Sequence, residues 1–151
     1  MSFCRSFASA SLAAGLTVGG LTVGLDGFRR AWFAGIRPNR VFGSYLAGLR
    51  RRGLTLALVT NNVREWDERW RATVPGIDGF SVVVSSAEEG VRKPDPRIYE
   101  RTLGRLALPP EACLFVDDSS ENCDGARTCG LDAVWFSSTS QAIDAIEARL
   151  S

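Results

Sequence analysis

Four short apolar runs, each closed by polar residues and separated from the next by a segment of helical spacing, constrain this chain more than any other feature. They lie at residues 54–59, 80–84, 113–116 and 133–136. Continuous runs of that length, bounded by Gly, Pro, Asn, Asp or Ser, read as strands buried on both faces, since a strand with one wet face would alternate. Strands of this kind that alternate with helices imply a parallel sheet covered on both sides. The expected fold is therefore three-layer α/β, Rossmann-like.

The intervening segments carry their own punctuation. Leu25, Phe28, Trp32 and Phe33 share one helical face, which Gly35 and Pro38 end. Asn39 caps a second helix with the apolar face Val41, Phe42, Tyr45, Leu46 and Leu49, and Gly53 supplies a left-handed stop. Val63, Trp66 and Trp70 continue at helical spacing. Asp95 and Pro96 form the N-cap and first position of a helix through about Leu106; Ser119 or Ser120 caps the next, which Gly130 ends. Ile143, Ile146 and Leu150 mark a last amphipathic helix. The tandem Leu16-Thr17-Val18-Gly19 and Leu21-Thr22-Val23-Gly24 is too short for a solenoid and reads as an accident or a weak strand.

Composition narrows the chemistry. Histidine is absent, which excludes His-based triads and His general acid/base catalysis. Lys93 is the one lysine among 18 basic residues. With 151 residues and 45% hydrophobic positions, the chain suits a single core. Charge is uneven: residues 1–60 hold eight Arg against Asp26, whereas residues 61–151 hold ten basic and sixteen acidic groups. The basic positions fall between apolar ones at helical spacing, so a solvated helix surface is expected, with neither a nucleic-acid nor a membrane partner. Cys4, Cys113, Cys123 and Cys129 lack zinc or redox spacing, and a reducing, cytoplasmic location is expected. The apolar stretch 12–23 is broken by glycines, which makes a poor export signal.

In parallel α/β sheets ligands bind beyond the carboxyl ends of strands, and three of these four ends are chemically loaded. After the first comes Thr60-Asn61-Asn62, whose hydroxyl and amides suit either helix capping or an anion. Beyond the second, Lys93 lies just before Pro94 in a stiff loop, either as a surface lysine or as a point charge for phosphate and carboxylate together. The third ends in the adjacent carboxylates Asp117 and Asp118, with Asn122 beyond. Adjacent carboxylates repel; a hard cation such as Mg²⁺ relieves this, although Asp118 as a helix cap is the alternative. All three together are hard to explain by capping.

The ordered set Leu58-Val59-Thr60-Asn61-Asn62, Val91-Arg92-Lys93-Pro94-Asp95-Pro96 and Leu114-Phe115-Val116-Asp117-Asp118 with Asn122 resembles motifs two to four of the haloacid dehalogenase-like superfamily. It is most similar to the phosphatase-like branch that includes the N-terminal phosphatase domains of soluble epoxide hydrolases. The resemblance spans about residues 25–150. It implies a Mg²⁺-dependent phosphomonoester hydrolase acting on a small phosphorylated substrate. Thr60 would bond the transferred phosphoryl group with Asn61 beside it, and Lys93 would neutralise charge. Asp118 would ligate Mg²⁺, Asp117 would support it, and Asn122 would orient its neighbours.

The family's first motif, a strand ending in Asp-x-Asp that supplies the nucleophile, has no counterpart in this sequence. Asp26 is the only acid before Thr60, but Phe28 stands where the acid/base aspartate would be, and residues 25–33 read better as a helix. The resemblance thus divides the chain into a poorly defined segment 1–24, a remnant of the helical cap and its exit at 25–40, and an α/β core at 41–151. The core is expected to lack or replace the central first strand, which would expose strand edges and favour a homo-oligomer. A non-catalytic module that binds phosphate and Mg²⁺ is the alternative function.

Overall fold

The computed structural model describes residues 16–18, 21–23 and 38–151, apart from 73 and 75. The expected helix over 25–33 and Asp26 lie outside the described residues, as does most of the proposed division at 1–24 and 25–40. Leu16–Val18 (β1) and Leu21–Val23 (β2) pair antiparallel, Leu16 opposite Val23, so the two copies of the tandem repeat are short strands paired with each other.

From Arg40 the chain alternates as expected. Helix α1 (Arg40–Arg51) starts where the Asn39 side chain accepts from the Phe42 N–H, and beyond its end Gly53 takes φ +86°. Strand β3 (Ala57–Thr60) follows, then a 3₁₀ turn (Arg64–Trp66) and the short α2 (Asp67–Arg71). After a second 3₁₀ turn (Ile77–Gly79) come β4 (Val82–Ser85) and α3 (Ser86–Glu89). Asp95 caps α4 (Pro96–Leu106), with Pro96 in its first turn. The chain closes with β5 (Leu114–Asp117), α5 (Ser120–Thr128) capped by Ser119, β6 (Asp132–Trp135) and α6 (Thr139–Leu150).

Strand bounds differ from the sequence reading at the margins. The first run was expected to begin at Leu54, but ladder geometry starts at Ala57; Leu54 and Leu56 are still packed into the core, and the Leu56 carbonyl accepts from Ser81 N at 2.8 Å. Burial selected those residues, not strand pairing. The single helix expected from Val63 to Trp70 is a 3₁₀ turn followed by one α turn.

The sheet consists of two parallel pairs. β3 pairs with β4 (Thr60 opposite Ser85), and β5 with β6 (Asp117 opposite Trp135). Among the described strands no ladder joins one pair to the other. Side chains join them instead. On one face Val59 and Val84 cluster with Phe115, Ala133 and residues of α4 and α5; on the other, Leu56 clusters with Leu114, Val116, Val134 and residues of α1 and α6. The result is a three-layer α/β core in which, among the described strands, β3 and β5 are not directly paired. The expected exposure of their edges does not extend to their side chains, all of which are buried.

Candidate active site at the strand ends

Lys93 organises the carboxyl ends of β3 and β5. Its side chain is fully buried, and an ammonium in that setting costs several kcal/mol unless paired. Nζ donates to Asp117 Oδ2 at 2.8 Å and to the Val59 carbonyl at 2.9 Å. It also stands 5.7 Å from the centre of the Phe115 ring, within cation–π range. One side chain thus ties the two strand pairs together where no ladder does.

The loop that presents Lys93 is held by Asn61. Lys93 N donates to Asn61 Oδ1 at 2.9 Å, and Asn61 Nδ2 donates to the Lys93 carbonyl at 3.0 Å. This two-point clamp mimics a strand pair. A second contact comes from α5, where a β-carbon on Gly125 would stand 2.7 Å from the Pro94 carbonyl oxygen, closer than such atoms approach. Glycine there lets the helix lie against the loop.

Asp117 accepts on both oxygens. Besides Lys93 on Oδ2, Oδ1 accepts from Ser119 N at 2.9 Å and from Asn122 Nδ2 at 3.0 Å. Asn122 is fixed in turn, since its carbonyl accepts from the Tyr99 hydroxyl at 2.7 Å and Tyr99 packs edge-on against Phe115. Asp118, next along, is exposed. Desolvation of its carboxyl, and then the Asp117 charge, raise its pKa above the ordinary carboxylate range. Its carbonyl accepts from the indole N–H of Trp135, an exposed aromatic at the end of β6.

Opposite this charged group the ends of β3 and β4 carry hydroxyls. Thr60 and Ser85 are fully buried, and among the described residues neither Oγ1 of Thr60 nor Oγ of Ser85 has a hydrogen-bond partner. Asn62 Nδ2 is likewise buried and unpartnered. The loops bearing these groups are locked together, since Ser86 Oγ accepts from Asn62 N and donates to Asn62 O.

The expected site residues therefore come together. Asn61, Lys93, Asp117 and Asn122 form one chain of hydrogen bonds, with Asp118 at its solvent end and Thr60 next to Val59. Asn61 spends its amide on the Lys93 backbone, so it positions the cation. For a metal, the donor set is two adjacent carboxylates, and among the described residues no group of three His, Cys, Asp or Glu forms a cage. Oxygen-only donors with mutual repulsion fit a hard cation that keeps several waters, Asp118 being the exposed carboxylate of the two. Ser85 and Trp135 were not anticipated. Ser85 lies one residue beyond the apolar run 80–84, so a strand-end rule applied to the true end of β4 would have found it.

Comparison with known proteins identifies the family. The family model for the haloacid dehalogenase-like hydrolases matches residues 37–130. A phosphoserine phosphatase of Thermus thermophilus is 39% identical over 93 residues, which are 61% of this chain and 37% of that protein. Bifunctional epoxide hydrolase 2 of Rattus norvegicus is 27% identical over 113 residues, 72% of this chain and 20% of that one. The chain thus spans well under half the length of these relatives. A family enzyme of Bacteroides thetaiotaomicron, solved in complex with magnesium and inorganic phosphate, shares the fold with a TM-score of 0.64 at 20% identity, over 75% of this chain and 61% of that one. With the family model covering more than half of its length, the chain belongs to the haloacid dehalogenase-like hydrolases.

Proposed function

We propose that the chain carries the phosphoryl-handling core of a Mg²⁺-dependent phosphomonoester hydrolase acting on a small phosphorylated substrate. The observation that carries this reading is the buried Thr60 hydroxyl, without a partner among the described residues, at the strand ends where the Lys93 ammonium is held. A hydroxyl in that state costs about 1–3 kcal/mol with no return unless a ligand accepts from it. Phosphoserine, the substrate named for one relative, belongs to the proposed class.

Phosphoryl transfer depends chiefly on positioning and on charge placed where it develops. Thr60 Oγ1 donates to a phosphoryl oxygen. Lys93 supplies the fixed positive charge, and its exclusion from water makes that charge effective at short range. Asp117 holds the ammonium in place, Asn61 holds its backbone, and Asn122 holds Asp117. Asp118 would hold Mg²⁺, with Asp117 supporting it, and the bound ion would neutralise further phosphoryl charge.

The test is hydrolysis of an aryl phosphate by the full chain with and without Mg²⁺. Turnover that needs Mg²⁺ and is lost in Asp118→Ala is the expected result; turnover unchanged by that substitution contradicts the metal assignment. Loss in Asp26→Asn assigns the nucleophile to Asp26. Phosphate binding without turnover makes the chain the non-catalytic binding module.

A further inference from the structure

Three side-chain donors at or just beyond the ends of β3 and β4 have no partner among the described residues, and Thr60 accounts for one of them. Ser85 is its register partner across the parallel ladder, so both side chains project to the same face of the sheet. Both are fully closed to solvent, and they do not bond to each other. Buried hydroxyls normally find a carbonyl, so two orphans side by side need an explanation in terms of what they are built to receive.

The third group sharpens the chemistry. Asn62 Oδ1 already accepts from Val63 N, which leaves Nδ2, a group that can only donate. The Ser86 bridge to the Asn62 backbone fixes the two loops against each other, so the spacing of the three groups is set by the fold. Two hydroxyls and an amide N–H₂ that lack acceptors call for a ligand rich in acceptor oxygens.

We propose that Ser85 is a further phosphoryl-binding residue of this site, its hydroxyl donating, together with Thr60 and Asn62, to oxygens of the bound phosphate ester. This deepens the phosphoryl-handling reading and rests on it. The arrangement also sets a trade-off. Without ligand the Ser85 hydroxyl is a liability to the fold; with ligand it is a charge-assisted bond. Removing it is therefore expected to help the empty protein and harm the complex, a combination that a purely structural serine does not produce.

The experiment is a thermal-shift titration of the full chain with inorganic phosphate in Mg²⁺, on wild type, Ser85→Ala, Ser85→Gly and Thr60→Ala. Ser85→Ala is expected to keep or raise the melting temperature of the empty protein while weakening phosphate about ten-fold. Ser85→Gly, which leaves more space at the same point, is expected to weaken phosphate to a similar degree even if it melts lower. If phosphate affinity is unchanged in both Ser85 variants while Thr60→Ala weakens it, the phosphoryl site stands and Ser85 is overturned as part of it, its partner being at most a water. If phosphate stabilises none of the four proteins, or stabilises all four equally, both readings fall.

Discussion

Lys93 holds two jobs that are separable by substitution. It is the buried partner of Asp117, and it is the charge proposed for the phosphoryl group. Truncating one member of a buried pair leaves the other charge stranded, which typically costs about 3–5 kcal/mol, whereas replacing both with neutral groups costs far less. Lys93→Met is therefore expected to lower stability by that amount in chemical denaturation, and Lys93→Met with Asp117→Asn to recover much of it while phosphate binding stays lost. Equal stability losses in the single and double variants would show that the pair is not the source. The importance of Lys93 was legible in the sequence, because a lone lysine in a proline-stiffened loop beyond a strand is conspicuous. Its bond to the Val59 carbonyl was not, since that contact spans 34 residues and depends on how the two strand pairs meet. Asn61 shows the same limit: its place beside Lys93 followed from the motif order, but an amide can serve a ligand or a backbone, and only the fold decides which.

At the scale of elements, capping chemistry was read more reliably than strand bounds. Asn39 and Asp95 each accept from a backbone N–H at the start of the helix they were expected to begin, and of the alternatives Ser119 and Ser120 it is Ser119 that does so, because a cap is a local hydrogen bond set by residues two or three apart. Strand limits depend on a partner elsewhere in the chain, and apolar content cannot distinguish ladder residues from the packed lead-in of Leu54 and Leu56. Helix α4 offers a pH test of its cap. The Arg97 guanidinium, and then the Arg97 N–H, hold the Asp95 carboxyl down to about 2. An unfolded aspartate titrates near 4. Since the folded value is the lower one, the contribution of Asp95 is complete above about pH 4 and disappears as the pH falls through about 2. Asp95→Asn, which keeps a capping oxygen but loses the charge that Arg97 holds, is expected to lower the melting temperature at pH 7 and to flatten its fall over that interval. An unchanged acid slope would remove Asp95 from the account.

At the scale of the whole molecule, two parallel strand pairs behave as one body because each core cluster draws residues from both. Val59 and Val84 share a cluster with Phe115 and Ala133, and Leu56 shares another with Leu114, Val116 and Val134. The alternation of apolar runs and helices made the layered fold legible, and the strand-end rule pointed to the edge of the sheet where the Lys93–Asp117 pair and the Thr60 hydroxyl stand. The manner in which the pairs are joined was beyond sequence periodicity, which reports the local period of each segment and nothing about which strands share a ladder. It is through side-chain packing and the Lys93 bridge that the site spans both halves, with the hydroxyls of Thr60 and Ser85 on one and the carboxylates of Asp117 and Asp118 on the other. The central claim is that this shared edge holds a phosphoryl group. Calorimetric titration of inorganic phosphate, with Mg²⁺ present, into the full chain and its Thr60→Val variant tests it most directly. One saturable site in the full chain, weakened about ten-fold or more in Thr60→Val, is the predicted result; no binding, or equal affinity in the two proteins, would contradict it.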